Sequence, residues 1–113
     1  MSEKLVIFQK IYDLLLWLYP IINRMPKSHR MILGKNMEEV GIALLLVVIK
    51  ANKARGRERQ EYQLELSDHL DQLRLLLRLN KDLKFMSIKQ YISGSEKINE
   101  IGRMLAGWMK VLL

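Results

Sequence analysis

Apolar residues recur along this chain at steps that fit helices throughout and strands nowhere. Leu5, Phe8, Tyr12, Leu15, Tyr19 and Ile22 follow one another at alternating three- and four-residue intervals, and Ile11, Leu14 and Leu18 widen the stripe. That spacing predicts a first helix with one broad buried face. Pro20 falls near its end, and Pro26 is expected to terminate it or force a turn. Ser28 is the expected N-cap of a second helix, in which Leu33, Met37, Val40, Leu44, Val47 and Ala51 form a stripe. Ile42, Leu45, Leu46, Val48 and Ile49 fill its other sides, so either the bundle surrounds it or, as four helices favour, another subunit covers its outer face. Gly34 and Gly41 share one side of this helix, where another helix can approach closely.

The character changes at residues 50–59, which carry Lys50, Lys53, Arg55, Arg57 and Arg59, with Gly56 marking a helix end or connection. A third helix with Leu66, Leu70, Leu73 and Leu77 inward is expected to end between Asn80 and Lys84. Ser87 then caps a fourth, which presents Ile88, Tyr91, Ile92, Ile98, Leu105, Met109 and Leu112. Gly94, Gly102 and Gly107 each weaken that helix by about 1 kcal/mol relative to Ala, which predicts close helix contacts around Gly102 and Ala106. Short connections make sequential helices antiparallel. The fold expected is all-α: an up-down-up-down four-helix bundle forming a single domain over residues 1–113.

Length and composition agree, since 113 residues suffice for one core. The chain has no Cys, hence no disulfide or thiolate site, which fits a reducing cytoplasm. The N-terminus lacks the continuous apolar region of a signal peptide. The longest apolar run, Val40 to Ile49, is about half of what a bilayer requires. A soluble cytoplasmic protein without membrane association is the expectation.

Charge points toward function. Nineteen Lys and Arg against twelve Asp and Glu give a formal charge of +7, which favours polyanionic partners. Arg74, Arg78 and Lys81 recur at steps of four and three and share one side of the third helix. Lys50, Lys53 and Arg57 do the same at the end of the second if that helix continues so far, with Arg55 beside them. Arg24, Lys27 and Arg30, with His29, form a third group at the junction of the first two helices. Each ridge can be a solvated face or a set of phosphate contacts, and the two ridges with the residue 55–59 cluster together favour phosphate. The third group can serve phosphate, a protein partner, or helix capping and loop solvation. No aromatic residues interleave with them, so backbone and shape recognition is expected rather than base reading.

Catalysis is not expected. His29 and His69 lie on different helices, and His69 with Asp68 and Asp71 lacks a second His or Cys at helical spacing for a metal. There is no phosphate-cradling Gly-rich loop and no isolated carboxylate pair. Neither a metal nor a cofactor is expected.

Tyr19-Pro20, Met25 through Arg30 and Leu33-Gly34 resemble the first helix–turn–helix of the accessory variability determinants of diversity-generating retroelements. Leu73 through Leu79 with Lys81-Asp82-Leu83 is similar to their third helix, and Tyr91 with Glu100 through Trp108 to their fourth. Met25 stands where an aromatic residue is expected, and Ala106 where Gly is common. The resemblance implies a homopentameric barrel of four-helix protomers. It also implies partnership with a reverse transcriptase and with the element's template RNA or cDNA, in support of mutagenic reverse transcription. Arg74, Arg78 and Lys81 would be the first contacts, Lys50, Lys53, Arg55 and Arg57 the second. A four-helix protein of the kind encoded in ribosomal-RNA intervening sequences is the nearest alternative. An oligomeric scaffold without a polymerase partner is another.

Overall fold

The computed structural model describes residues 4–111, with side chains from Val6 onward, so Leu5 and Leu112 of the expected stripes lie outside the described side chains. The described residues form four helices: α1 (Lys4–Asn23), α2 (27–53), α3 (Gly56–Asp82) and α4 (Ile88–Met109). Helix α2 runs through three contiguous segments, Lys27–His29, a π-helical turn at Arg30–Gly34, and Lys35–Lys53. Each helix packs on its neighbour in the chain, and α4 returns against α1. The result is an elongated body of 45 × 23 × 23 Å.

Pro26, not Ser28, caps α2. Its backbone stands at φ −53°, ψ 140°, the extended conformation an N-cap requires, and the proline ring fixes that φ. Ser28 is exposed within the first turn. The π turn then inserts an extra residue, leaving Met31 and Ile32 exposed while Leu33 and Gly34 face inward. The cap of α4 is as expected. Ser87 Oγ accepts from the Gln90 amide and Gln90 Oε1 accepts from the Ser87 amide, both at 3.0 Å.

The core is aliphatic. Helix α3 buries Leu66, Leu70, Leu73 and Leu77, the expected residues, but α1 is rotated from expectation. Its buried line is Ile7, Ile11, Leu14, Leu18 and Ile22, with Leu15 and Ile21 beside it. Phe8 and Tyr19 sit half-buried at its margin, and Tyr12 is 44% exposed. Aliphatic residues can be buried without finding a partner for a hydroxyl, whereas tyrosines cannot. In α4 the inward residues are Gly94, Ile98, Ile101 and Leu105; Ile88, Ile92 and Met109 are exposed. Stepping from Gly94 by four, three and four keeps that line over α1 and α3, and Ile88 and Ile92 lie off it. On α2, Ile42, Leu46 and Ile49 are exposed, while Val48 is buried.

Glycines set the interhelical distances at two places. A Cβ on Gly41 would overlap the Leu15 side chain, and one on Gly94 would lie 2.6 Å from Trp17 Cη2. The tight contact of α4 is therefore at Gly94. Gly102 meets only the tip of Arg74, and Ala106 is exposed.

An ion pair joins α1 to α4, with Lys10 Nζ 2.7 Å from Glu100 Oε1. The hydrogen bond and charge of each partner hold the Lys10 ammonium above its ordinary pKa and the Glu100 carboxyl below its own. The pair therefore adds stability at neutral pH. It loses that contribution as pH falls through the lowered carboxyl value or rises through the raised ammonium value. Both ends are exposed, so the effect is small. Glu100→Gln is expected to flatten the acid limb of a plot of melting temperature against pH slightly, as read by circular dichroism.

Candidate nucleic-acid interface

At the α2–α3 corner the chain needs a reversal in two residues, Ala54 and Arg55. Arg55 is extended at φ −137°, ψ 158°, and Gly56 follows at φ +58°, a left-handed conformation that glycine adopts without a side-chain clash. Helix α2 ends at Lys53, so Arg57 stands in the first turn of α3 and does not continue the α2 ridge, yet Lys50, Lys53, Arg55 and Arg57 are all exposed around this reversal. Among the described residues none of the four takes part in an ion pair. Their charge is thus available to an external anion.

Arg59 does not join them. It is 6% exposed and turns inward. Its Nε donates to the Ala51 carbonyl and its Nη2 to the Asn52 carbonyl, each at 3.0 Å. These carbonyls belong to the last turn of α2, which has no helical donors left. The guanidinium also lies 5.6 Å from the centre of the Trp108 ring, so Arg59 ties α2, α3 and α4 together.

The ridge on α3 is partly engaged. Arg74 is half-buried; its Nη1 donates to Asp71 Oδ1 at 2.6 Å and its Nε to Asn99 Oδ1 at 3.4 Å. It packs against Gly102 and braces α3 to α4. Arg78 is exposed, with Asp82 at 3.9 Å. Lys81 is 3.3 Å from Asp82 and 4.7 Å from the Tyr91 ring centre. Of the three, Arg78 presents most of its charge to solvent.

In the third group, Arg24 and Lys27 are exposed, and Arg30 donates from Nη1 to the Asn23 carbonyl at 3.1 Å, closing the end of α1. The neighbouring His29 ring lies 4.4 Å from that of Phe85, which brings the α1–α2 and α3–α4 connections together. Lys84 and Lys89, which flank Phe85 in sequence, were not among the residues singled out by charge spacing. Lys84 belongs to the turn after α3, where periodicity carries no signal, and Lys89 lies in the first turn of α4.

Among the described residues no three side chains of His, Asp or Glu converge as metal ligands, and no helix is long and apolar enough to cross a membrane.

The described residues thus form four helices with cations exposed at the connections between them. A family model described as bAvd-like matches residues 5–112, and the chain belongs to that family. No curated protein matches it.

Proposed function

We propose that this chain is a non-enzymatic accessory protein of a diversity-generating retroelement. It acts in the cytoplasm, binding the element's reverse transcriptase and its template RNA or cDNA through basic residues, and so supports mutagenic reverse transcription. Membership of the bAvd-like family over residues 5–112 carries the reading. The unpaired cations of the α2–α3 corner supply chemistry that suits it.

The protomer is one domain with antiparallel up-down-up-down helices. Contacting pairs whose numbers run in opposite order support this: Lys10 with Glu100 and Trp17 with Lys97, then Ala51 with Arg59 and Met37 with Asn80. Five protomers close into a barrel. A ring requires two different surfaces on each copy. Tyr12, Leu16, Ile42, Leu46 and Ile49 on α1 and α2 offer one apolar surface, and Leu64, Leu75 and Leu79 on α3 offer another.

Lys50, Lys53, Arg55 and Arg57 take first place among the phosphate contacts, with Arg78 and Lys81 next. Arg24, Lys27 and Arg30 follow, and Arg74 contributes mainly by holding α4. The test is light scattering of the purified chain, then binding to structured RNA over a salt series and capture of the cognate reverse transcriptase. A pentamer whose RNA affinity falls steeply with salt is expected. Arg55→Ala with Arg57→Ala should reduce the slope of log affinity against log salt by about one unit for each arginine. A monomer without RNA affinity at low salt refutes the reading.

A further inference from the structure

The end of α2 away from the four unpaired cations carries a different combination of groups. There the α1–α2 and α3–α4 connections meet, with the exposed His29 ring against the partly exposed Phe85 ring at 42°. Arg24 comes from one connection and Lys27 and Arg30 from the first turns of α2 after it, and Lys81, Lys84 and Lys89 come from the other connection or its flanks. Asp82 is the single carboxylate between residues 81 and 89. An open cleft of about 650 Å³ lies on the Phe85 side of the pair, lined by Lys81, Asp82, Lys84, Phe85, Ser87 and Ile88 among others. That size lies within the range of about 300–1,000 Å³ usual for small-ligand pockets.

Lys84 is held at a conformational cost. The Phe85 amide donates to the Asn80 carbonyl at 2.9 Å, the bond that closes a helix in a Schellman motif. The residue before Phe85 must then be left-handed, and Lys84 stands at φ 67°, where glycine is usual. A lysine there puts an exposed, positively charged side chain in the cleft wall at the expense of backbone ease.

We propose that this end of the bundle binds a single-stranded segment of nucleic acid, an unpaired base stacking on the His29–Phe85 pair while Lys84, Lys27 and Arg24 hold the adjoining phosphates. The proposal rests on the nucleic-acid reading above and narrows it. Cations alone serve any phosphate backbone, but an accessible aromatic beside them selects bases that are not already stacked in a duplex. The α2–α3 corner lacks this option, because Trp108 there lies under Arg59.

The test uses the full chain and three labelled RNAs of about ten nucleotides, a length that matches common single-strand site sizes. One is a single strand, one the same strand with abasic positions, and one a duplex; binding is read by fluorescence anisotropy. The intact single strand should bind roughly tenfold more tightly than the abasic one. Phe85→Leu and His29→Ala should remove that difference and leave duplex binding unchanged. Lys84→Gly should raise the melting temperature by a few degrees yet weaken single-strand binding several-fold, so that loss of fold cannot explain the loss of affinity. Equal binding of intact and abasic strands, or full affinity in Lys84→Gly, overturns the proposal. If duplex and single strand bind alike and respond only to Arg55→Ala with Arg57→Ala, this site falls while the nucleic-acid reading stands. If no RNA binds at any salt, both fall.

Discussion

Arg59→Ala is expected to destabilise the protein by about 3 kcal/mol, the sum of two lost hydrogen bonds from a charged donor and the buried carbonyls left without them. Its guanidinium supplies the Ala51 and Asn52 carbonyls, and it packs on Trp108 at the end of α4. Single domains hold only about 5–15 kcal/mol in total, so this is a large share. Arg59→Met keeps the stem against the indole and should recover part of the loss. Arg59→Lys keeps the charge but not the planar fork that reaches both carbonyls, and it should behave similarly. Urea denaturation monitored by circular dichroism reads the series. The contrast with Arg57 is the sharper check. Arg57→Ala, at an exposed position two residues away, should change stability by less than about 0.5 kcal/mol and reduce the salt dependence of RNA binding. Arg59→Met should do the reverse. If Arg59→Ala leaves the denaturation midpoint unmoved, Arg59 belongs to the exposed cations after all.

That role was written in the chain, though not in its charges. Arg59, Gln63, Leu66, Leu70, Leu73, Leu77 and Asn80 follow at alternating steps of four and three, and all seven are buried. The leucines reveal the stripe. The polar residues that continue it at both ends look like surface residues until the period is extended through them. Asn80 illustrates the same point. It is a helix-end signal by type, yet its side chain is fully buried and donates to the Leu76 carbonyl at 3.0 Å and to Met37 Sδ at 2.8 Å. Helix α1 was harder to read, because apolar residues surround it and two stripes one residue apart fit equally well. Only packing decides that the aliphatic stripe goes inside.

The candidate sites divide on similar grounds. The cations of the α2–α3 corner are close in sequence, so composition found them. His29 at the start of α2 and Phe85 in the α3–α4 connection are far apart in sequence and meet only in the fold, so aromatic interleaving is not visible along the chain. The inward reach of Arg59 and the bracing role of Arg74 are likewise tertiary facts.

Gly94→Val is expected to be at least as damaging as the loss of Arg59. A Cβ at this position would lie 2.6 Å from Trp17 Cη2 and 2.9 Å from Leu77 Cδ1. The indole is rigid and carries Lys97 Nζ 5.2 Å from its centre, so it has little freedom to yield. Overpacking of this kind costs about 1–3 kcal/mol, and the second branch of valine adds to it. Gly94→Ala would regain about 1 kcal/mol of helix propensity and should end near or below the parent. Gly107→Ala serves as the control: nothing beyond its chain neighbours and the adjacent helix backbone lies within 4 Å of its added methyl, and it should stabilise the protein by about 0.5–1 kcal/mol. If the clash with Trp17 is the cause, Trp17→Leu should partly rescue Gly94→Val, giving a favourable coupling energy in a double-mutant cycle. Because α4 also carries Trp108 over Arg59, Gly94→Val should loosen the α2–α3 corner and weaken RNA binding together with stability. A Gly94→Val variant with the parent's denaturation midpoint would mean that α4 does not pack on Trp17 in solution.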